Sequence, residues 1–233
     1  MNGYKLGLKI NEHYNRYKAM KKILLLLPAL ILMLSSCKES NVCRIHGKVA
    51  NEQLNGKRIF LVPLFGPQTA EYVDSIEVKD GKFEFETDTT MMAKILMDYH
   101  FRIGVQTLLV VTEPGDLEVI IDSVSSGHGT PLNDSLQAWK ELTEHHNREY
   151  ALYSRTIRML QERNLTDKAA KIKQEGDSVH LAYKNRTRQM AANNKGTVLG
   201  DFLVELYPLT YKRQMPDGSV VTMNADTNEP ISE

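Results

Sequence analysis

The chain has 233 residues, 42% of them hydrophobic and 25% charged, with 29 basic and 29 acidic side chains. That balance excludes a largely disordered chain, and 14 Gly, 8 Pro and 2 Cys exclude a collagen repeat or a disulfide scaffold. No apolar run reaches the roughly 18 to 20 residues of a membrane-spanning helix.

The first element is an export signal. Met20-Lys21-Lys22 supplies a short basic region, Ile23 to Leu34 an apolar run interrupted by Pro28, and Ser35-Ser36-Cys37 a small-residue exit. Twelve helical residues rise only about 18 Å, short of the roughly 30 Å hydrocarbon core, so the segment is expected to be read and removed. Residues 1–36 form this signal region, and its start is expected at Met20, because residues 1–19 are polar and mixed in charge. Leu34-Ser35-Ser36-Cys37 resembles a bacterial lipobox, which implies lipidation at Cys37 and cleavage just before it. Several acyl chains at about 0.8 kcal/mol per buried methylene make such an anchor stable.

Without residues 1–36 the chain carries 23 basic and 28 acidic side chains, a net charge near −5. No basic stripe stands out in the sequence, which argues against nucleic acid as a partner. With Cys37 modified, Cys43 has no disulfide partner and is expected as a small residue entering the first strand.

Residues 37–42 form a lipid-anchored tether. From 43 to 126 the pattern has period two, with strands over 44–49, 58–64, 72–78, 82–86, 92–97, 106–111 and 117–121. Asp80-Gly81 predicts a tight hairpin whose Ile76, Val78, Phe83 and Phe85 share a buried face. No helix of crossover length separates the strands, so a parallel sheet is excluded and an antiparallel sandwich or half-open barrel of about seven strands is expected.

Residues 127–193 change to a helical period. Asn133 or Asp134 is expected to cap a first helix carrying Leu136, Trp139, Leu142, His146, Tyr150, Tyr153, Ile157 and Leu160 at spacings of three and four. After Asn164-Leu165, Thr166 or Asp167 starts a second helix with a weaker stripe, and a short link makes the two an antiparallel hairpin. Gly176 in mid-helix costs about 1 kcal/mol relative to Ala. Residues 194–233 read as a short tail: an apolar element over 198–207, a β-hairpin around Met215-Pro216-Asp217-Gly218, and a disordered last ten residues. The fold class is α+β: a sandwich, an α-hairpin and a tail.

The run Val73 to Phe85, then Glu113-Pro114-Gly115-Asp116-Leu117 and Gly129-Thr130-Pro131-Leu132-Asn133-Asp134, resembles family 4369 of the domains of unknown function, over roughly residues 43–133. The resemblance implies a Gram-negative envelope lipoprotein with a β-sandwich. It also implies a C-terminal thioredoxin-like domain in many members. Only 26 residues follow position 207, and no Cys-x-x-Cys occurs, so no catalytic residue carries over. The motif residues themselves read as turn and cap chemistry.

Several constellations invite a chemical role and are each better read structurally. His145 and His146 with Glu141, Glu144 and Glu149 place imidazole and carboxylate four apart, a spacing common on solvated helices. His128 lies between Gly127 and Gly129 without a nucleophile, and these glycines lack the Lys-Ser/Thr of a phosphate loop. Ser123, Ser125, Ser126 and Ser135 lack a Gly-x-Ser-x-Gly setting. Asp74, Glu84, Glu86 and Asp88 suit a solvated strand face, and Trp139, Tyr150 and Tyr153 a helix-pair core. No catalytic, cofactor-binding or metal residue is therefore expected. The expectation is a non-enzymatic binding or assembly module, lipid-anchored at Cys37 in the cell envelope, on the outer membrane facing periplasm or surface, with an envelope protein as partner. The alternative is an accessory or truncated relative of thioredoxin-like thiol-disulfide lipoproteins, working with a redox partner in trans.

Overall fold

The computed structural model describes residues 41–97 and 105–231. The signal region, Cys37 and most of the tether lie outside the described residues. Asn41–Glu233 forms a compact unit of its own. Its strands are β1 (Cys43–Val49), β2 (Arg58–Pro63), β3 (Asp74–Glu77), β4 (Lys82–Thr87), β5 (Met92–Met97), β6 (Leu108–Val111), β7 (Gly115–Ile121) and β8 (Ser126–His128). Helices α1 (Pro131–Glu162), α2 (Thr166–Asn193) and α3 (Val198–Leu206) follow, then β9 (Thr210–Gln214) and β10 (Val220–Asn224).

The first eight strands make two four-stranded sheets, ordered β4-β1-β7-β8 and β3-β2-β5-β6. Period-two alternation turns Ile45, Phe83, Phe85, Leu117, Val119 and Ile121 of the first sheet toward Ile59, Leu61, Ile95, Met97, Leu108 and Val110 of the second. Leu109 and Val111 face the opposite way and join Met92, Leu136, Trp139, Leu199, Phe202 and Leu203 in a second cluster. The unbroken apolar run of β6 thus has a cause, since both of its faces are covered.

Among the described residues, pairing is antiparallel with one exception, the parallel ladder of β1 with β7. The connection between these two strands runs through the opposite sheet, so strands do the work of a crossover helix. The Asp80-Gly81 turn is present, with φ of 52° and 68°. Its arms part at once: β3 pairs with β2 and β4 with β1, leaving one bridge, Lys79 with Lys82. Val78, Phe83 and Phe85 are buried, whereas Ile76, before the strand crosses between sheets, is 38% exposed.

Two further expectations change. Asn133 lies inside α1, which begins with Thr130 at the N-cap and Pro131 in its first turn. Residues 224–231 are folded back rather than disordered: Pro230 bridges Met223, and the Ile231 amide donates to the Thr222 carbonyl. Gly176 packs against the Tyr153 ring, where an added Cβ would sit 3.2 Å from it. Close approach of the two helices offsets the helix-propensity cost there.

Candidate functional site

Two stretches distant in sequence meet where the sandwich joins the helices. The Glu113 carboxylate accepts from the backbone amides of Leu132 (2.6 Å) and Asn133 (3.3 Å), satisfying two first-turn donors of α1. Asn133 then behaves as one more rung of edge strand β6. Its Oδ1 accepts from the Val111 amide at 2.9 Å, and its Nδ2 donates to the Val111 carbonyl at 2.7 Å and the Thr130 hydroxyl at 2.8 Å. Gly129, with φ of 113°, lies against the Asp116 carbonyl, where a Cβ would come within 2.7 Å. Glu113 to Leu117 and Gly129 to Asp134 therefore form one structural junction.

The most chemically unusual cluster lies between α1 and α2. His146 Nε2 and His180 Nδ1 are 3.1 Å apart, and the His146 ring stacks on Tyr183 at 4.1 Å with an interplanar angle of 3°. Tyr150 packs on both imidazoles, and the Tyr183 hydroxyl bonds Thr143 Oγ1 at 2.9 Å. Tyr207 meets Tyr183 edge-on, and burial, with the Tyr183 hydroxyl, pushes its phenol up to about 12. His146 is 6% exposed, and its Nδ1 is buried without a partner. If His146 Nε2 donates, Nδ1 is an orphaned acceptor; if His180 Nδ1 donates, His146 Nδ1–H is an orphaned donor. Burial first, then the neighbouring imidazole, holds His146 below the ordinary histidine range; burial and Lys184 do the same to His180. The pair can share a proton, but among the described residues no hydroxyl or thiol nucleophile bonds to either ring.

The five-residue histidine and carboxylate group is dispersed by the helix. His145 is exposed, with Nδ1 3.9 Å from Glu149, while Glu144 bonds Arg148 and Glu141 bonds Gln137. Among the described residues no three His, Cys, Asp or Glu side chains are arranged to hold a metal ion. His128 is exposed on β8, 3.5 Å from Asp134. Ser125 Oγ donates to the Gln106 carbonyl at 2.7 Å and fixes a turn. Glu84 and Glu86 flank His46 and Arg44 across β4 and β1, whereas Asp74 belongs to the other sheet and Asp88 bonds Thr89. Trp139 is buried edge-on to Phe202 at 5.6 Å. Cys43 is 1% exposed, and burial followed by Glu113 and Asp116 pushes its thiol up to about 11.

Sequence reasoning missed His180, Lys140 and the salt bridge of the C-terminal turn. Lys140 lines a cavity of about 340 Å³ with Gln106, Ser125, Gln137 and Glu144, and burial pulls its amine down to about 8. Asp226 receives two hydrogen bonds from Arg188 and a further ion pair from Lys184, which pull its carboxyl down to about 2. Arg188 also donates to the carbonyls of Tyr207 and Pro208, so one guanidinium pins α3 and the β9–β10 hairpin to α2. Beside it, Ala191, Ala192, Gly200, Val204 and Leu209 line an open, mostly apolar groove of about 540 Å³.

Residues 43–136 match the family model "Domain of unknown function (DUF4369)". No curated protein and no solved structure matches the chain. No helix among the described residues is long and apolar enough to cross a membrane.

Proposed function

Taking residues 43–136 as a DUF4369 domain, we propose that the protein is an envelope lipoprotein, anchored through lipid on Cys37, that works as a non-catalytic binding or assembly module. The observation that carries the reading is the run from Met20 to Cys37: basic start, twelve apolar residues, and Leu34 three positions before the cysteine. The apolar groove beside Val204 and Leu209 supports the binding role by offering an unfilled contact surface.

The second reading, an accessory of thiol-disulfide lipoproteins, is favoured by the family resemblance and constrained by Cys43. A thiol that is 1% exposed and pushed up to about 11 supplies little thiolate at neutral pH, so on this reading Cys43 does not carry the redox chemistry.

Affinity capture of the C-terminally tagged, full-length protein from detergent-solubilised envelope tests both readings. A stoichiometric non-redox envelope protein supports assembly, and a partner bearing Cys-x-x-Cys supports the accessory role. Capture of nothing stoichiometric contradicts both. Cys37→Ser is expected to release the protein from membranes, and retention of that variant overturns the anchoring.

A further inference from the structure

Past His146, helix α1 contributes no buried residue, and among the described residues its outward side stays exposed. Arg148, Leu152, Arg155, Met159 and Arg163 recur there at spacings of four, three, four and four, which sets them on one face about 22 Å long. All five are exposed, Leu152 by 61% and Met159 by 43%. The inward stripe of Tyr153, Ile157 and Leu160 is a separate set. Between positions 148 and 173 the sequence holds seven basic and three acidic side chains, whereas residues 37–233 as a whole are net acidic. Arg148 and Lys173 are paired with Glu144 and Asp177. Arg155, Arg158, Arg163, Lys168 and Lys171 have no ion-pair partner among the described residues. The basic stripe invisible in the linear sequence exists once the helix is wound.

We propose that this end of the α-hairpin docks on an anionic lipid bilayer, with the arginines on headgroup phosphates and Leu152, Met159 and the turn residue Leu165 entering the layer beneath. Three features favour a bilayer over a small anion or an acidic protein. The cations are spread over two helices and their turn instead of converging on one pocket, so they match many phosphates. They alternate with apolar side chains, and only a bilayer presents phosphate directly above hydrocarbon. Arginine pairs with phosphate in two-point geometry while its stem covers apolar surface. The presence of a bilayer nearby rests on the lipid-anchored reading.

The test uses protein lacking the lipid, residues 38–233, which retains both hydrophobic clusters of the compact unit. Flotation with vesicles of phosphatidylcholine containing 30% phosphatidylglycerol is compared with pure phosphatidylcholine at low and high salt. Binding is expected to the anionic vesicles only and to be lost at high salt. R155E/R163E is expected to lower partitioning at least about tenfold, and L152S/M159S severalfold, both with unchanged thermal melting because the positions are exposed. Equal binding to both vesicle types, indifference to the arginine reversals, or binding to duplex DNA in place of vesicles overturns the proposal. A vesicle failure leaves Cys37 anchoring intact, and an unmodified Cys37 leaves the docking face intact, so the two fail separately.

Discussion

Replacing Asn133 with Ala removes three hydrogen bonds at a position 2% exposed and leaves the amide and carbonyl of fully buried Val111 without partners. A buried backbone group stranded in this way costs about 1 to 3 kcal/mol, so the loss should be about 3 to 5 kcal/mol. Against the roughly 5 to 15 kcal/mol of an ordinary domain, that is a large fraction of total stability. Asn133→Asp should fare no better: it keeps the acceptor for the Val111 amide but turns a carboxylate oxygen toward the Val111 carbonyl. Urea unfolding of residues 38–233, followed by circular dichroism, reads the difference, with exposed Asn147→Ala as a control expected within about 0.5 kcal/mol. A loss under about 1 kcal/mol for Asn133→Ala would refute the claim that this side chain joins the sheet to α1.

Three further outcomes are expected. His146 and His180 titrate below their unfolded range, so their contribution is complete above about pH 6.5 and shrinks as the pH falls below it. The groups around the pair, Glu149, Asp177 and Asp226 against His145 and Lys184, oppose one another, and the urea midpoint should fall between pH 6.5 and 5 in wild type and less in His146→Phe. Asp226, pulled down to about 2 from 3.8, contributes stability that is present above pH 4 and lost as the pH falls toward 2. Asp226→Asn should release the C-terminal hairpin, seen as faster amide exchange in β9 and β10 with the sandwich unaffected. Lys140, labelled by reductive ¹³C-methylation, should titrate by NMR near pH 8, and a midpoint near 10.5 would show that its amine is solvated.

The strands were legible where period two ran for five residues or more, as in β1, β4 and β7, because alternation needs only local sequence. β8 was not: Ser126-Gly127-His128 has no apolar side chain, and it is a strand only because β7 offers it an edge. The parallel β1–β7 ladder joins residues some seventy positions apart and leaves no local mark. At the start of α1 the competing signals were Pro131, which favours the first turn, and Asn133, a good cap. The proline prevailed, because Asn133 is consumed by Val111 and Glu113 supplies the cap from 19 residues upstream. His146 was readable as a packing residue from its place on the stripe. His180 lies on the weaker stripe of α2, and only the helix register brings it to 3.1 Å from His146. The basic face of α1 was hidden for a related reason, since its arginines are diluted by the intervening turns.

The most direct test of the envelope-lipoprotein account is mass spectrometry of the N-terminal peptide from protein purified out of membranes. The account predicts a chain beginning at Cys37, its mass raised by a diacylglyceryl group and an amide-linked acyl chain. A chain beginning elsewhere, or an unmodified Cys37, would contradict it.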